Sequence, residues 1–335
     1  MTSSRFVLLT GAGFTHNFGT PLASELWAAI LNHESVQDTP RVREAVLSDF
    51  DFESVYHRVV SGDYTPDEKA AVGRAVADAY EHVDQIVRSW GFGPDAPYPV
   101  NLYRVQEMIA AFAGTEAEPG FFFTLNQDLF LERHYYNGER PHLPGIHLNM
   151  DWFTTHFLEP VPAQEYVSLP KADAVTDERA LLGRARFYYL KLHGSSNWRS
   201  ADGSQRMVVG QGKETQIGSE PLLAKYFEIF ARVLNEGSRR LLVIGYGFRD
   251  LHVNRILADA IQNHGLRLFI LAPDAPANVC EHLGSDEFGG QIWSGLGGYF
   301  QWSLVRMFPG DQSETAEWQA FKDQYFEGRF RGRWP

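Results

Sequence analysis

The chain has a single cysteine, Cys280, in 335 residues. One thiol closes no internal disulfide and cannot supply a four-cysteine zinc site. Cys280 reads as a small filler side chain. No run approaches the ~18 apolar residues of a membrane span. The first residues, Met1 to Arg5, carry no charged leader ahead of a long apolar stretch. A soluble, cytoplasmic protein with no membrane partner is expected. Basic residues are outnumbered, with 30 Lys and Arg against 42 Asp and Glu, a net charge of −12. That balance opposes broad attraction to nucleic-acid backbones, so direct nucleic-acid binding is not expected. Internal repeats and low-complexity tracts are missing as well. What is there, 44% hydrophobic and 21% charged residues, is the profile of a globular chain long enough to bury a substantial core.

Five apolar runs read as buried parallel strands: Phe6–Thr10, Phe121–Leu125, Phe187–Leu192, Leu241–Tyr246 and Leu266–Ala272. Most lack polar alternation, as strands covered on both faces do. Helical patterns separate them. Leu223, Tyr226, Phe227, Phe230 and Leu234 keep one face apolar before Gly237. Asp250 stands where it can cap a helix carrying Leu251, Asn254, Leu257 and Ile261, and Gly265 ends that helix. Strands alternating with helices imply an α/β fold, a Rossmann-like doubly wound parallel sheet. The interval 33–118 contains no convincing strand and reads as an all-helical insertion. Within it, Thr65-Pro66-Asp67-Glu68 is a capping box with proline at the first helical position. The helix it starts is expected to reach about Trp90, where Gly91-Phe92-Gly93-Pro94 terminates it. Residues 141–186 are poorly patterned, rich in proline and aromatics, and read as a lid. A single domain over 1–335 is expected, closed by a C-terminal extension at 276–335. There, glycines mix with Trp293 and Trp302, which suits edge strands or an oligomer contact.

The chemistry lies where these strands end. Gly11-Ala12-Gly13-Phe14 follows the first strand. Small residues there let the backbone approach a pyrophosphate, and a helix N-terminus adds free N–H donors. The GxGxxG pattern is not met, because His16 stands at its last position, and His16 reads as a rim residue. Asn126 ends the second strand unit, where an amide that both donates and accepts can hold a ribose hydroxyl or orient a water. Asp128 suits a ribose contact or a helix cap. His193, followed by Gly194, ends the third unit and can accept a proton at neutral pH. Gly245-Tyr246-Gly247 closes the fourth and allows a second close backbone approach, with Tyr246 free to stack or donate. Ala272-Pro273-Asp274 follows the fifth run, beside the expected adenine. His142 and His147, with Pro144 and Gly145 between them, make a poor metal pair, so no metal site is expected.

Taken in order, Gly11-Ala12-Gly13-Phe14 with Gly19-Thr20-Pro21, Thr124-Leu125-Asn126-Gln127-Asp128, Leu192-His193-Gly194-Ser195 and Ile244-Gly245-Tyr246-Gly247 resemble the sirtuin series. The chain looks like the bacterial sirtuin-like proteins of anti-phage defence. That resemblance implies NAD as substrate, with Asn126 and His193 as the catalytic pair. It assigns the cofactor contacts to Gly11, Ala12, Gly13, Phe14, Asp128, Gly245, Tyr246 and Gly247. Protein-deacylating sirtuins carry a four-cysteine zinc module that one cysteine cannot build, and Phe14, Thr15 and Leu125 also depart from the deacylase loops. Defence relatives without that module hydrolyse NAD. The expectation is therefore an NAD+ glycohydrolase that releases nicotinamide and ADP-ribose. A zinc-independent deacylase and a non-catalytic NAD or ADP-ribose scaffold are the alternatives. Family context implies a homo-oligomer and a protein partner such as a HerA-type ATPase, a short Argonaute or a phage protein.

Overall fold

A computed structural model describes residues 4–91, 99–135, 140–200, 205–208, 210, 212–310 and 314–327. Among the described residues nine strands are formed: β1 (Phe6–Thr10), β2 (Gly120–Thr124), β3 (Val167–Ser168), β4 (Phe187–Lys191), β5 (Gly194–Arg199), β6 (Gln205–Met207), β7 (Arg240–Ile244), β8 (Arg267–Leu271) and β9 (Leu296–Phe300). Six of them make one sheet in the order β4-β2-β1-β7-β8-β9. Every neighbouring pair in it is parallel. The chain starts in the middle, builds outward to β4, then returns to build the other side. That order is the doubly wound Rossmann-like arrangement, and its switch point lies between β1 and β7. The expected fold class holds. A small second sheet, β3-β5-β6, continues from β4.

Both faces of the large sheet are buried, which is why its strands read as unbroken apolar runs. Val7 and Leu9 join Phe121, Phe123, Leu190 and Val243 on one face. Leu8, Phe122 and Leu242 face the other. The helices Pro221–Asn235 and Leu251–His264 cover the first face, through Phe230, Val233, Val253 and Leu257 among others. The helix Leu102–Ala110 and the segment from Ala316 to Phe326 cover the second. Observed strand ends differ by a residue or two from the apolar runs. Arg240 opens β7 because its guanidinium lies 4.5 Å above Phe269 and 5.2 Å above Tyr325, which hides a charge inside an apolar layer. Tyr246 falls outside β7 because Gly245, at φ +67°, turns the chain.

The helices between Ala23 and Ser89 hold a hydrophobic cluster of their own, from Ile30 through Val42, Val46 and Val55 to Val76 and Ala79. That cluster begins before residue 33 and stops well short of 118. The helix Leu102–Ala110 packs on the sheet instead. The long helix is Pro66–Ser89, with Trp90 as its C-cap. Its capping box is formed as read, with Glu68 N–H donating to Thr65 Oγ1 and Thr65 N–H to Glu68 Oε2. Of the expected terminator only Gly91 is described; Phe92, Gly93 and Pro94 lie outside the described residues.

One expectation is corrected. The 141–186 stretch is not a lid: Ile146, Leu169, Val175, Leu181 and Leu182 are buried in the first cluster. The C-terminal extension supplies an edge strand, as one of its two readings expected: β9 closes one side of the large sheet. Trp302, Trp318, Phe321 and Tyr325 are buried in the chain's second cluster, and the Tyr325 hydroxyl donates to the Arg240 carbonyl at 2.8 Å. Hydrophobicity alone cannot separate an inward from an outward aromatic. Here the sheet's second face needed covering, and these rings cover it. Among the described residues, no helix is long and apolar enough to cross a membrane.

Candidate active site

Parallel register aligns the carboxyl ends of the central strands. Thr10 pairs with Thr124 on one side and Ile244 on the other, Thr124 pairs with Lys191, and Ile244 with Leu271. The residues that follow each strand therefore emerge along one edge. They line a cavity of about 1240 Å³ that runs from Asn126 and His193, past Gly11 to Gly13, to Pro273 and Asp274. Glu53, Tyr80 and Val83 of the helical cluster's region form part of its wall. None of its lining residues lies between 141 and 186.

The glycine turn is built differently from expectation. A Cβ on Gly11 would stand 2.8 Å from the Gly245 carbonyl oxygen, and one on Gly13 would stand 2.7 Å from Gly245 Cα. One on Gly245 would reach within 2.1 Å of the Phe14 nitrogen. The glycines thus permit two turns of one protein to pack on each other at the switch point. Three of the turn's amides are already engaged: Gly11 N–H donates to the Ile244 carbonyl, Gly13 N–H to Gly245 and Phe14 N–H to Gly11. Among the described residues, Ala12 offers the one unengaged amide of this turn. Gly11, Ala12 and Gly13 line the cavity, whereas the Phe14 ring is buried against Phe18 and contributes nothing to the wall. His16 stands at the rim and donates from Nδ1 to the Thr20 carbonyl. Gly245, Tyr246 and Gly247 line the opposite wall. The Tyr246 hydroxyl is spent internally, donating to Asn254 Oδ1 at 2.9 Å and accepting from Asp250 N–H.

Asn126 is held by a chain of hydroxyls. Its backbone N–H donates to Thr124 Oγ1 at 3.1 Å, and Thr10 Oγ1 donates to that same hydroxyl at 2.8 Å. Its side-chain Nδ2 donates to Thr15 Oγ1 at 3.2 Å, and Thr15 Oγ1 donates to Asp128 Oδ2 at 3.1 Å. A carboxylate only accepts, so Thr15 must donate to Asp128 and accept from Asn126. The NH₂ side of Asn126 therefore faces Thr15. Its Oδ1 has no partner among the described residues. Asp128 also accepts from Phe130 N–H at 3.0 Å through its other oxygen, a local turn just ahead of the helix Phe130–His134, whose N-cap is Leu129. Burial pushes the Asp128 carboxyl above its ordinary range, against the opposing pull of Lys191 and of the Phe130 amide.

His193 occupies the short link between β4 and β5 and lines the cavity while being almost fully buried. Its Nε2 lies 3.0 Å from Nε2 of His252, the second residue of the helix Leu251–His264. Phe227 lies along its ring, 6.4 Å between centroids. Burial drives the His193 pKa down to about 3; the Asp250 carboxylate opposes that, while Lys213 and His252 add to it. Burial likewise lowers His252. Both rings are neutral at pH 7.

Asp250 is the N-cap of the helix Leu251–His264, as read from the sequence, but its side chain makes no capping hydrogen bond. Its carboxylate instead binds the Lys213 ammonium at 2.7 Å, and Glu53 binds the same ammonium at 2.7 Å. Burial lowers the Lys213 pKa, but the two carboxylates outweigh it and raise the ammonium above its ordinary value. Burial raises Asp250, yet the basic groups around it, with the Lys213 ammonium bonded to it directly, hold it below the carboxylate range. One ligand atom each from His193, Asp250 and His252 fall within 4.8 Å of one another, close enough to surround a cation. The firmly protonated Lys213 already fills part of that carboxylate's capacity, so a metal would compete with it.

The model of the SIR2-like domain matches residues 120–287. The chain belongs to the SIR2-like family. Membership connects the site to NAD chemistry. The matched span of this SIR2-like chain holds Asn126, His193 and Gly245 to Gly247, while the Gly11 turn precedes it. No curated protein matches the sequence. Sequence reasoning missed Thr15 as the anchor of Asn126, and it missed Lys213, Glu53 and His252 beside His193. The one local signal was Asp250-x-His252 directly after the Gly247 turn.

Proposed function

We propose that the protein is an NAD+ glycohydrolase that cleaves NAD to nicotinamide and ADP-ribose. One observation carries the reading: Asn126 and His193 line the same cavity as Gly11 to Gly13, at the switch point of a doubly wound sheet. Cleavage of the nicotinamide–ribose bond passes through an oxocarbenium-like state, and nicotinamide leaves neutral. The site then needs no strong acid. It needs to hold the ribose, to orient a water and to accept its proton. Asn126 Oδ1, left unpartnered by the Thr15 anchor, suits the orienting role. His193 suits the accepting role, because the Asp250 carboxylate beside it opposes the effect of burial and stabilises the ring once it takes the proton. Gly11, Ala12, Gly13, Gly245, Tyr246 and Gly247 are proposed to border the dinucleotide, with Asp128 acting through Thr15. Phe14 does not line the cavity and drops out of this contact set.

An unregulated NAD hydrolase depletes its own cell. We therefore read the protein as a controlled effector of anti-phage defence that works as a homo-oligomer or with a partner protein. The test is chromatography of NAD incubated with purified protein, with and without its genomic neighbours. Nicotinamide and ADP-ribose are expected. Tight NAD binding without cleavage in every combination would assign a scaffold instead, and O-acyl-ADP-ribose from an acylated peptide would assign a deacylase.

A further inference from the structure

The glycohydrolase reading uses His193 but leaves His252 without a task. His252 is a mostly buried, titratable side chain in direct contact with the proposed base. Two neutral imidazoles with Nε2 atoms 3.0 Å apart must carry complementary tautomers, one N–H donating to the other's lone pair. The direction decides the chemistry. If His252 donates, His193 carries its own proton on Nδ1 and has no lone pair left for substrate. If His193 donates, its Nδ1 is a free base. That Nδ1 has no partner among the described residues, and the ring lines the cavity.

We propose that His252 is a positioning residue that accepts the Nε2–H of His193 and thereby leaves His193 Nδ1 as the proton acceptor toward the substrate. The proposal rests on the glycohydrolase reading. In the step it serves, an O–H bond of the attacking water or of a ribose hydroxyl breaks as an N–H bond forms at His193 Nδ1. The oxygen keeps the electron pair. The imidazolium so formed lies next to Asp250, which supplies the counter-charge, and its Nε2–H bond to His252 becomes charge-assisted. Asp250 favours a positive charge on His193 and Lys213 opposes it, so the carboxylate is the group that supports the imidazolium. Asp250 and Lys213 flank both, and Glu214 and Arg255 act on His252 from the outer side. Lys213, itself clamped by Glu53, keeps the Asp250 carboxylate in place.

The experiment compares His252→Phe, which has no acceptor, with His252→Gln, whose carbonyl can accept the same N–H. Nicotinamide release is measured under conditions that activate the parent, and ring-nitrogen NMR of labelled histidine reports the tautomer. His252→Phe should lower kcat by about 10²-fold with little change in KM for NAD, the scale of a lost general base. His252→Gln should recover most of that loss. In the parent, His193 should show a protonated Nε2 and a bare Nδ1. Full turnover by His252→Phe, or a His193 ring protonated at Nδ1, overturns the proposal. So does a divalent metal that co-purifies in equimolar amount and is bound by both rings. A parent that releases no nicotinamide with any partner refutes the glycohydrolase reading instead, and the nitrogen spectrum then still decides the tautomer.

Discussion

Two pairs of loops meet at the same edge of the sheet and solve different problems. The turns after β1 and β7 are glycine-rich and pack on each other, with Gly11 and Gly13 against Gly245. The loops after β2 and β4 carry Asn126 and His193, each anchored on one side by a protein partner and open on the other. Both pairs line the cavity, and the second is the one we propose to carry its chemistry. Glycines in a strand-end turn are thus not by themselves a sign of ligand contact. A close approach of two backbones explains them equally well, and here that approach is visible.

The largest effect should separate the two pairs by activity. His193→Ala and Asn126→Ala should each lower nicotinamide release by ~10²-fold or more, in line with lost general-base or water-orienting catalysis. Their thermal midpoints should stay near the parent's. Gly245→Ala should do the reverse and act on stability first. Its new methyl group would meet the Phe14 nitrogen at 2.1 Å, on a backbone at φ +67°. The cost expected from urea unfolding is about 3 kcal/mol or more, from left-handed strain plus overpacking.

Acid sharpens the contrast between buried histidines and the rest. Burial carries His193 to about 3 and His134 to about 4, both below the ordinary 6.5. Below pH 6.5 the unfolded chain binds protons that the folded chain refuses. Stability should therefore be full above about 6.5 and fall as the pH drops toward those depressed values, by about 2 kcal/mol per ring between pH 7 and 5. Asp128 and Glu53, whose carboxyls burial raises, act in the opposite sense. A variant isolates the histidine contribution. His134→Gln keeps a donor for the Val87 carbonyl and should narrow the gap between urea midpoints at the two pH values.

Smaller effects probe the anchors. Thr15→Val removes the hydroxyl that orients Asn126 and should lower kcat about tenfold, near the net worth of one hydrogen bond. A change confined to KM would place Thr15 in binding instead. Glu53→Gln leaves Lys213 with Asp250 as its remaining carboxylate. Both ends of the Glu53 pair are partly exposed, so stability should change by less than ~1 kcal/mol. Activity should stay within a few-fold of the parent.

The architecture was largely legible in the sequence. Strands buried on both faces leave unbroken apolar runs, and capping boxes and glycine stops mark helix ends, so β1, β2, β4, β7, β8 and the Thr65 helix start could be read directly. Asn126 and His193 were legible as cavity residues because each is a polar residue standing directly after an apolar run, at the end of a strand. The roles of Asp250, of the 141–186 stretch and of the C-terminal aromatics were not. A carboxylate before a helix has the same local sequence whether its side chain caps that helix or binds a lysine 37 residues away.

The order of hydrophobic runs, their helical spacers and the polar residues that end them are local properties, and the sequence alone determined the doubly wound sheet and its chemical edge. Which side chains face one another across that edge is a long-range property. Only the tertiary structure decided that Gly245 sits on Gly13, that Thr15 turns Asn126, and that His252 meets His193, because residues far apart in the chain must fold together before a contact chooses its partner.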